Sequence, residues 1–174
     1  TLAECNGFYE CPKDTIGKRL GPLVGYAGTY DDGGEKKHFV GDVYCNFAQA
    51  EQWPHIVNYF AERIIPVLGD RAKRFKPLRP IVFVGMPMGG IILAAYLGQL
   101  SDKRTIFAEK KDDELVIARH KLEAGDQVVI VEDVCNNFST TEKALQLIFE
   151  AGATCAGIAR FLNRSPITCY ETLT

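Results

Sequence analysis

The chain is short of the residues that build metal sites and cross-links. Three histidines (His38, His55, His120) and six cysteines (Cys5, Cys11, Cys45, Cys135, Cys155, Cys169) include no C-x-x-C pair, so a structural zinc site lacks its ligand spacing. The thiols read as free cysteines of a reducing compartment, which places the protein in the cytoplasm. Cys135 has no adjacent histidine to activate it as a nucleophile. Long apolar runs are missing too: the stretch Ile91 to Leu97 falls far below the ~20 residues of a membrane-spanning helix. Neither charge sign dominates. Twenty basic and 22 acidic residues are well mixed, with net charge −2, which removes the electrostatic argument for nucleic acid or an anionic membrane. No signal-peptide pattern, repeat or low-complexity segment is present, and a start at Thr1 leaves a removed leader open.

What is present suits one domain, residues 1–174, with an N-terminal arm or hood region over 1–47 and an α/β core over 48–174. At 47% hydrophobic, a chain this long buries about 70% of its unfolded surface without disulfides. Residues 1–35 are punctuated by glycines and by Asp31-Asp32-Gly33-Gly34, the pattern of a loop-rich arm with one short strand or helix. His38 to Phe47 reads as a strand broken at Gly41-Asp42. From Ala48 the spacing is helical, with Pro54 near the start and Val57, Phe60, Ala61, Ile64 and Ile65 following. Pro66 predicts its kink or end. Arg71 to Arg79 reads as a basic connecting loop.

Strand and helix then alternate. Ile81 to Val84 predicts a buried strand, Gly85-Met86-Pro87-Met88-Gly89-Gly90 a turn, and Ile91 to Leu100 a helix. Arg104 to Lys111 predicts a strand, Asp112-Asp113-Glu114 a turn, and Leu115 to Arg119 a returning strand. Ala153 to Phe161 predicts a fourth buried strand and Ile167 to Leu173 a terminal one. Such alternation implies a Rossmann-like parallel sheet flanked by helices. The glycine-rich turn lets backbone amides approach a phosphate, or is merely a tight packing turn. It is no Walker loop, because no lysine follows the glycines.

The stretch Val128 to Glu142 organises the rest. Four β-branched residues, Val128 to Val131, predict a strand buried on both faces. Glu132 and Asp133 follow where that strand should end. Ser139 and Glu142, three apart, predict a capping box for a helix that Gly152 stops. The unpaired amides and positive dipole of a helix N-terminus suit a phosphate. Asn136, Asn137, Ser139, Thr140 and Thr141 add donors. Carboxylates only accept, so a sugar's vicinal hydroxyls or a cation fit them. The plain alternative is an acidic strand end followed by an ordinary helix cap.

This stretch resembles the phosphoribosyl-pyrophosphate (PRPP) motif of the type I phosphoribosyltransferases: four apolar residues, an acidic pair, two apolar residues, then a hydroxyl-rich loop. Asn136-Asn137-Phe138 stands where that family usually has Thr-Thr-Gly. The turn Gly85 to Ile92 is similar to that of the orotate branch. Phe107-Ala108-Glu109-Lys110 with the apolar run to Arg119 resembles its flexible hood hairpin, although the Lys-x-His-Gly signature is absent. Arg164 matches an arginine that holds the base's carboxylate, with Asn163 in place of an aspartate.

The resemblance implies a pentosyltransferase that makes orotidine 5′-monophosphate and pyrophosphate from orotate and PRPP, in pyrimidine nucleotide biosynthesis. It implies the type I fold with a small hood hairpin, a homodimer, and Mg2+ held mainly by substrate, with Glu132 and Asp133 as its possible protein ligands. It assigns Asn136, Asn137, Phe138, Ser139, Thr140 and Thr141 to the 5′-phosphate, and Glu132 and Asp133 to the ribose. Met86, Pro87, Met88, Gly89, Gly90, Lys110, Lys111 and Arg119 fall to pyrophosphate, and Arg164 and Tyr44 to the base. Asp133, Glu132 and Lys110 are the catalytic candidates. Three alternatives stay open: transfer to a purine or uracil, a non-catalytic PRPP-binding regulator, and another doubly wound phosphate-ester binder.

Overall fold

The computed structural model of the protein describes residues 1–75, 81–135 and 138–164. The chain packs as two compact units, Thr1–Ile56 and Val57–Thr174.

The first unit is richer in strands than its sequence suggests. β1 (Phe8–Glu10) pairs antiparallel with β4 (Val43–Cys45), and β2 (Val24–Asp32) pairs antiparallel with β3 (Glu35–Gly41). The expected loop-rich arm is therefore corrected to two small ladders. Gly33 and Gly34 turn the second, at φ +64° and +90°, the sign a two-residue type I′ hairpin demands and glycine adopts without penalty. The expected strand His38–Phe47 divides at Asp42, at the Gly41-Asp42 break that the sequence predicts. That carboxylate binds Lys13 at 2.7 Å and Arg19 at 2.5 Å. Asn46 then caps α1 (Phe47–Glu51), its Oδ1 accepting the Ala48 N–H at 3.2 Å.

α2 runs Pro54–Phe75. Proline suits its first position, where the N–H has no intrahelical partner. The helix passes through Pro66 and Gly69, so of the expected kink or end at Pro66 the end is excluded, and residues 71–75 of the expected loop are helix. Ala61, Ile64, Ile65 and Leu68 hold one face across the proline and pack into the core, and their burial offsets the ~3 kcal/mol that an interior proline costs.

The second unit is the parallel sheet. Its strands are β5 (Ile81–Gly85), β6 (Arg104–Phe107), β9 (Gln127–Cys135) and β10 (Thr154–Asn163), in the order β10-β9-β5-β6. Every neighbouring pair is parallel, as the alternation predicts. α3 (Gly89–Ser101) follows β5, and α4 (Ser139–Glu150) follows β9. Successive side chains of β9 enter opposite layers. Val128 and Ile130 pack with Ala144 and Ile148 of α4, while Val129 and Val131 pack with Leu93, Ala94 and Leu97 of α3.

Strand limits differ from expectation in two places. β9 does not stop at the acidic pair; it continues to Cys135 because β10 pairs with it as far as Asn163↔Cys135, so backbone pairing outweighs side-chain polarity. The run Arg104–Lys111 breaks at Ala108, whose N–H donates to Gly85 O at 3.0 Å, and resumes as β7 (Glu109–Lys111), which forms a hairpin with β8 (Glu114–Val116). β10 lies at the end of the described sheet, with Ala159 its one fully buried residue. The expected strand Ile167–Leu173 falls outside the described residues.

Asp126 ties the start of β9 to β6. Its carboxylate pairs with Arg104 and accepts the Glu123 N–H at 2.8 Å, and the residue is buried. Asp126→Ala strands these donors and is expected to lower stability by about 2 kcal/mol, read as a fall in the urea midpoint at unchanged m.

Candidate functional site

The turn after β5 lies directly on the end of β9. Met86 N–H donates to Val131 O at 2.8 Å, and Gly90 N–H returns to Met86 O at 3.0 Å. Gly89 and Gly90 are required by proximity. A Cβ on Gly90 would collide with the Val131 carbonyl oxygen, and one on Gly89 with the Asp133 carboxylate. Of the residues assigned to this turn, Met86 is buried and Met88 is exposed. The Pro87–Met88 peptide is cis.

Glu132 and Asp133, adjacent on a strand, face opposite layers. Asp133 lies on the α3 side against Gly89, and its Oδ1 accepts the Val134 N–H at 2.7 Å. Glu132 lies on the α4 side and is buried. Burial pushes its carboxyl up to about 7, with the charge of Asp133 adding and that of Lys110 opposing. Opposite facing also limits metal binding. Among the described residues no group of three or more His, Cys, Asp or Glu gathers, so the pair fits a cation that brings most of its ligands with it.

Cys135 is buried, and its thiol is pushed up to about 11, by burial first and Glu132 second, with Arg160 opposing. A thiol so held is protonated at neutral pH and no nucleophile, in line with its sequence context.

α4 begins differently from expectation. Its N-cap is Phe138, left-handed at φ +60°, and Ser139 is the first helical residue, so the expected capping box centred on Ser139 is corrected. The first-turn hydrogen bond runs from Glu142 N–H to Phe138 O at 2.8 Å. The ring of Phe138 is buried, and the Arg160 guanidinium stands 6.0 Å from its centroid.

Two clefts meet at this helix start. One, of about 170 Å3, is lined by Glu132, Val134, Cys135, Phe138, Ser139, Thr140 and Thr141. The other, of about 310 Å3, is lined by Lys110, Asp113, Leu115, Ser139, Thr140 and Lys143. Ser139 and Thr140 belong to both, so the start of α4 has Glu132 in one cleft and Lys110 in the other. Lys111 is exposed opposite Glu114. Arg119 binds Glu109 at 3.0 Å and lines neither cleft. The Arg164 N–H donates to Cys135 O at 2.8 Å, which ties the segment after β10 to the end of β9. Tyr44 belongs to the first unit, opposite Tyr9 in the β1–β4 ladder. Asn136 and Asn137 lie outside the described residues.

Two cations escaped the sequence reading. Lys143 carries a signal, its spacing of three and four from Thr140 and Ser139. Arg160 carries none until the register Arg160↔Glu132 is known.

No family model matches the chain. It is 28% identical over 125 residues to an orotate phosphoribosyltransferase of Caldanaerobacter subterraneus subsp. tengcongensis, covering 71% of this chain and 62% of that protein. To the orotate phosphoribosyltransferase of Chlorobaculum parvum it is 29% identical over 107 residues, 61% of this chain and 55% of that one. The chain thus spans less than two thirds of the length of these curated relatives. Among solved structures, orotate phosphoribosyltransferase from Aeropyrum pernix superposes with a TM-score of 0.60 at 14% identity, over 93% of this chain and 78% of that one. Adenine phosphoribosyltransferase from Thermoanaerobacter pseudethanolicus gives 0.55 at 14% identity, over 94% and 99%.

Proposed function

We propose, for a chain that has the type I phosphoribosyltransferase fold and is related in sequence to orotate phosphoribosyltransferases, that it transfers a phosphoribosyl group from PRPP to a nucleobase, orotate first among the candidates. The observation that carries this reading is the junction of Glu132, the first turn of α4 and Lys110 in two clefts that share Ser139 and Thr140.

In this reaction a base nitrogen bonds to C1 of the ribose as the C1–O bond to pyrophosphate breaks, and the sugar gains oxocarbenium character. Ser139, Thr140 and Thr141, with Asn136 and Asn137, hold the 5′-phosphate at the helix N-terminus. Glu132 and Asp133 accept from the ribose hydroxyls, Asp133 on the side of the Met86–Gly90 turn, whose amides serve pyrophosphate. Lys110 offsets phosphate charge, and the Arg164 guanidinium takes the orotate carboxylate bidentately. Bound Mg2+ would neutralise charge on the departing pyrophosphate, carried by the substrate with Glu132 and Asp133 as its protein carboxylates. A cytoplasmic homodimer is part of the same reading. Among the described residues no helix is long and apolar enough to cross a membrane.

A coupled assay of pyrophosphate release across orotate, uracil, hypoxanthine, guanine and adenine tests the reading. Release with orotate is expected. In Arg164→Ala the KM for orotate is expected to rise about tenfold or more, the worth of a lost charged hydrogen bond, with the KM for PRPP unchanged. Turnover with adenine instead would favour the purine reading that the adenine-enzyme likeness supports. PRPP binding without release with any base would favour a regulator, for which Phe138 in the phosphate loop is the specific observation.

A further inference from the structure

Lys143 has no role in the reading above. It stands four residues after Ser139 and three after Thr140 on α4, so the three share one helix face. Helical side chains lean toward the N-terminus, so the Lys143 stem runs back over the first turn. Lys110, from the β7–β8 hairpin, lines the same cleft. Both lysines are exposed, and among the described residues no ion pair or hydrogen bond holds Lys143. Two cations at the positive end of a helix are the wrong sign for its dipole. They repel each other and the helix start, and a dianion between them reverses both effects.

We infer that Lys143 is a phosphate-binding residue that bounds the 5′-phosphate site beside Ser139 and Thr140, in the cleft it shares with Lys110. Its ligand is the phosphate monoester of a pentose, and the inference rests on the phosphoribosyl reading. Asp113 supplies an internal control, because it lines the same cleft and its negative charge opposes any anion there. Its backbone is left-handed at φ +63°, a conformation asparagine also tolerates, so Asp113→Asn removes the charge and keeps the turn.

The experiment is calorimetric titration of ribose 5-phosphate into the full chain as wild type, Lys143→Ala, Lys143→Arg and Asp113→Asn. Thermal melts confirm that each variant is folded, as expected for exposed positions. Lys143→Ala should bind about tenfold more weakly, or ~1.4 kcal/mol, and Lys143→Arg within about twofold of wild type. Asp113→Asn should bind a few-fold more tightly. In turnover the KM for PRPP should follow these shifts and the KM for the base should not. Equal binding by wild type and Lys143→Ala, or weaker binding by Asp113→Asn, overturns the assignment while the phosphoribosyl reading stands. A wild type that binds neither ribose 5-phosphate nor PRPP overturns both.

Discussion

Gly90→Ala is expected to lower stability by about 3 kcal/mol or more, seen as a collapse of the urea midpoint. The new methyl group would meet the Val131 carbonyl oxygen and stand 2.8 Å from Val131 C and 3.2 Å from Glu132 Cα. All three atoms are backbone of a central strand paired on both sides, so none can rotate aside. Overpacking alone costs ~1–3 kcal/mol. Val131 O also accepts the Met86 N–H, and displacing it forfeits about another 1 kcal/mol. Gly89→Ala provides the contrast. There the obstructing atoms belong to the Asp133 side chain, which can swing away, so that variant should fold and lose turnover. A Gly90→Ala protein with a wild-type midpoint would show that α3 does not rest on β9 in the way described.

Glu132→Gln is expected to stabilise the protein at pH 8 while impairing it. The folded protein holds the Glu132 proton up to about 7, whereas the ordinary value is 4.5. Between those values the unfolded chain binds fewer protons than the folded one, so stability falls as pH rises through the window and levels off above it. At ~1.4 kcal/mol per unit, discounted for the part of the side chain that water still reaches, the ionised carboxylate lowers stability by ~2–3 kcal/mol at pH 8. Glutamine never ionises. The variant should therefore melt higher than wild type at pH 8 and alongside it near pH 4, below the ordinary carboxyl value. Its amide keeps one acceptor and loses the charge, so kcat/KM for PRPP should fall and any inflection near pH 7 should vanish from its pH profile. Superimposable melting-versus-pH curves for the two proteins would refute the buried-carboxylate account.

Much of the parallel core was legible because β-branched runs bounded by glycine report strands buried on both faces. What such runs cannot report is pairing. β9 reads as ending at Glu132 by polarity, yet continues because β10 takes up its backbone groups. The β2–β3 hairpin escaped for the opposite reason. Glu35 to Val40 is exposed throughout, so no apolar alternation marks it, and Gly33-Gly34 was its one local signal. Pro66 does not end α2, because one missing N–H weighs less than an apolar face that continues on both sides. In the site, the acidic pair and hydroxyl loop were visible as a linear motif. The left-handed entry at Phe138 and the crossing of Arg160 from a neighbouring strand belong to three-dimensional placement, which no linear spacing encodes.

A cysteine lining a cleft usually invites covalent labelling. With Cys135 pushed up to about 11, only on the order of one molecule in ten thousand carries the reactive sulfur anion at pH 7. Iodoacetamide and peroxide, which attack thiolates, should leave Cys135 unmodified. Inhibitor design against the cleft would then have to rely on reversible contacts rather than on a bond to Cys135.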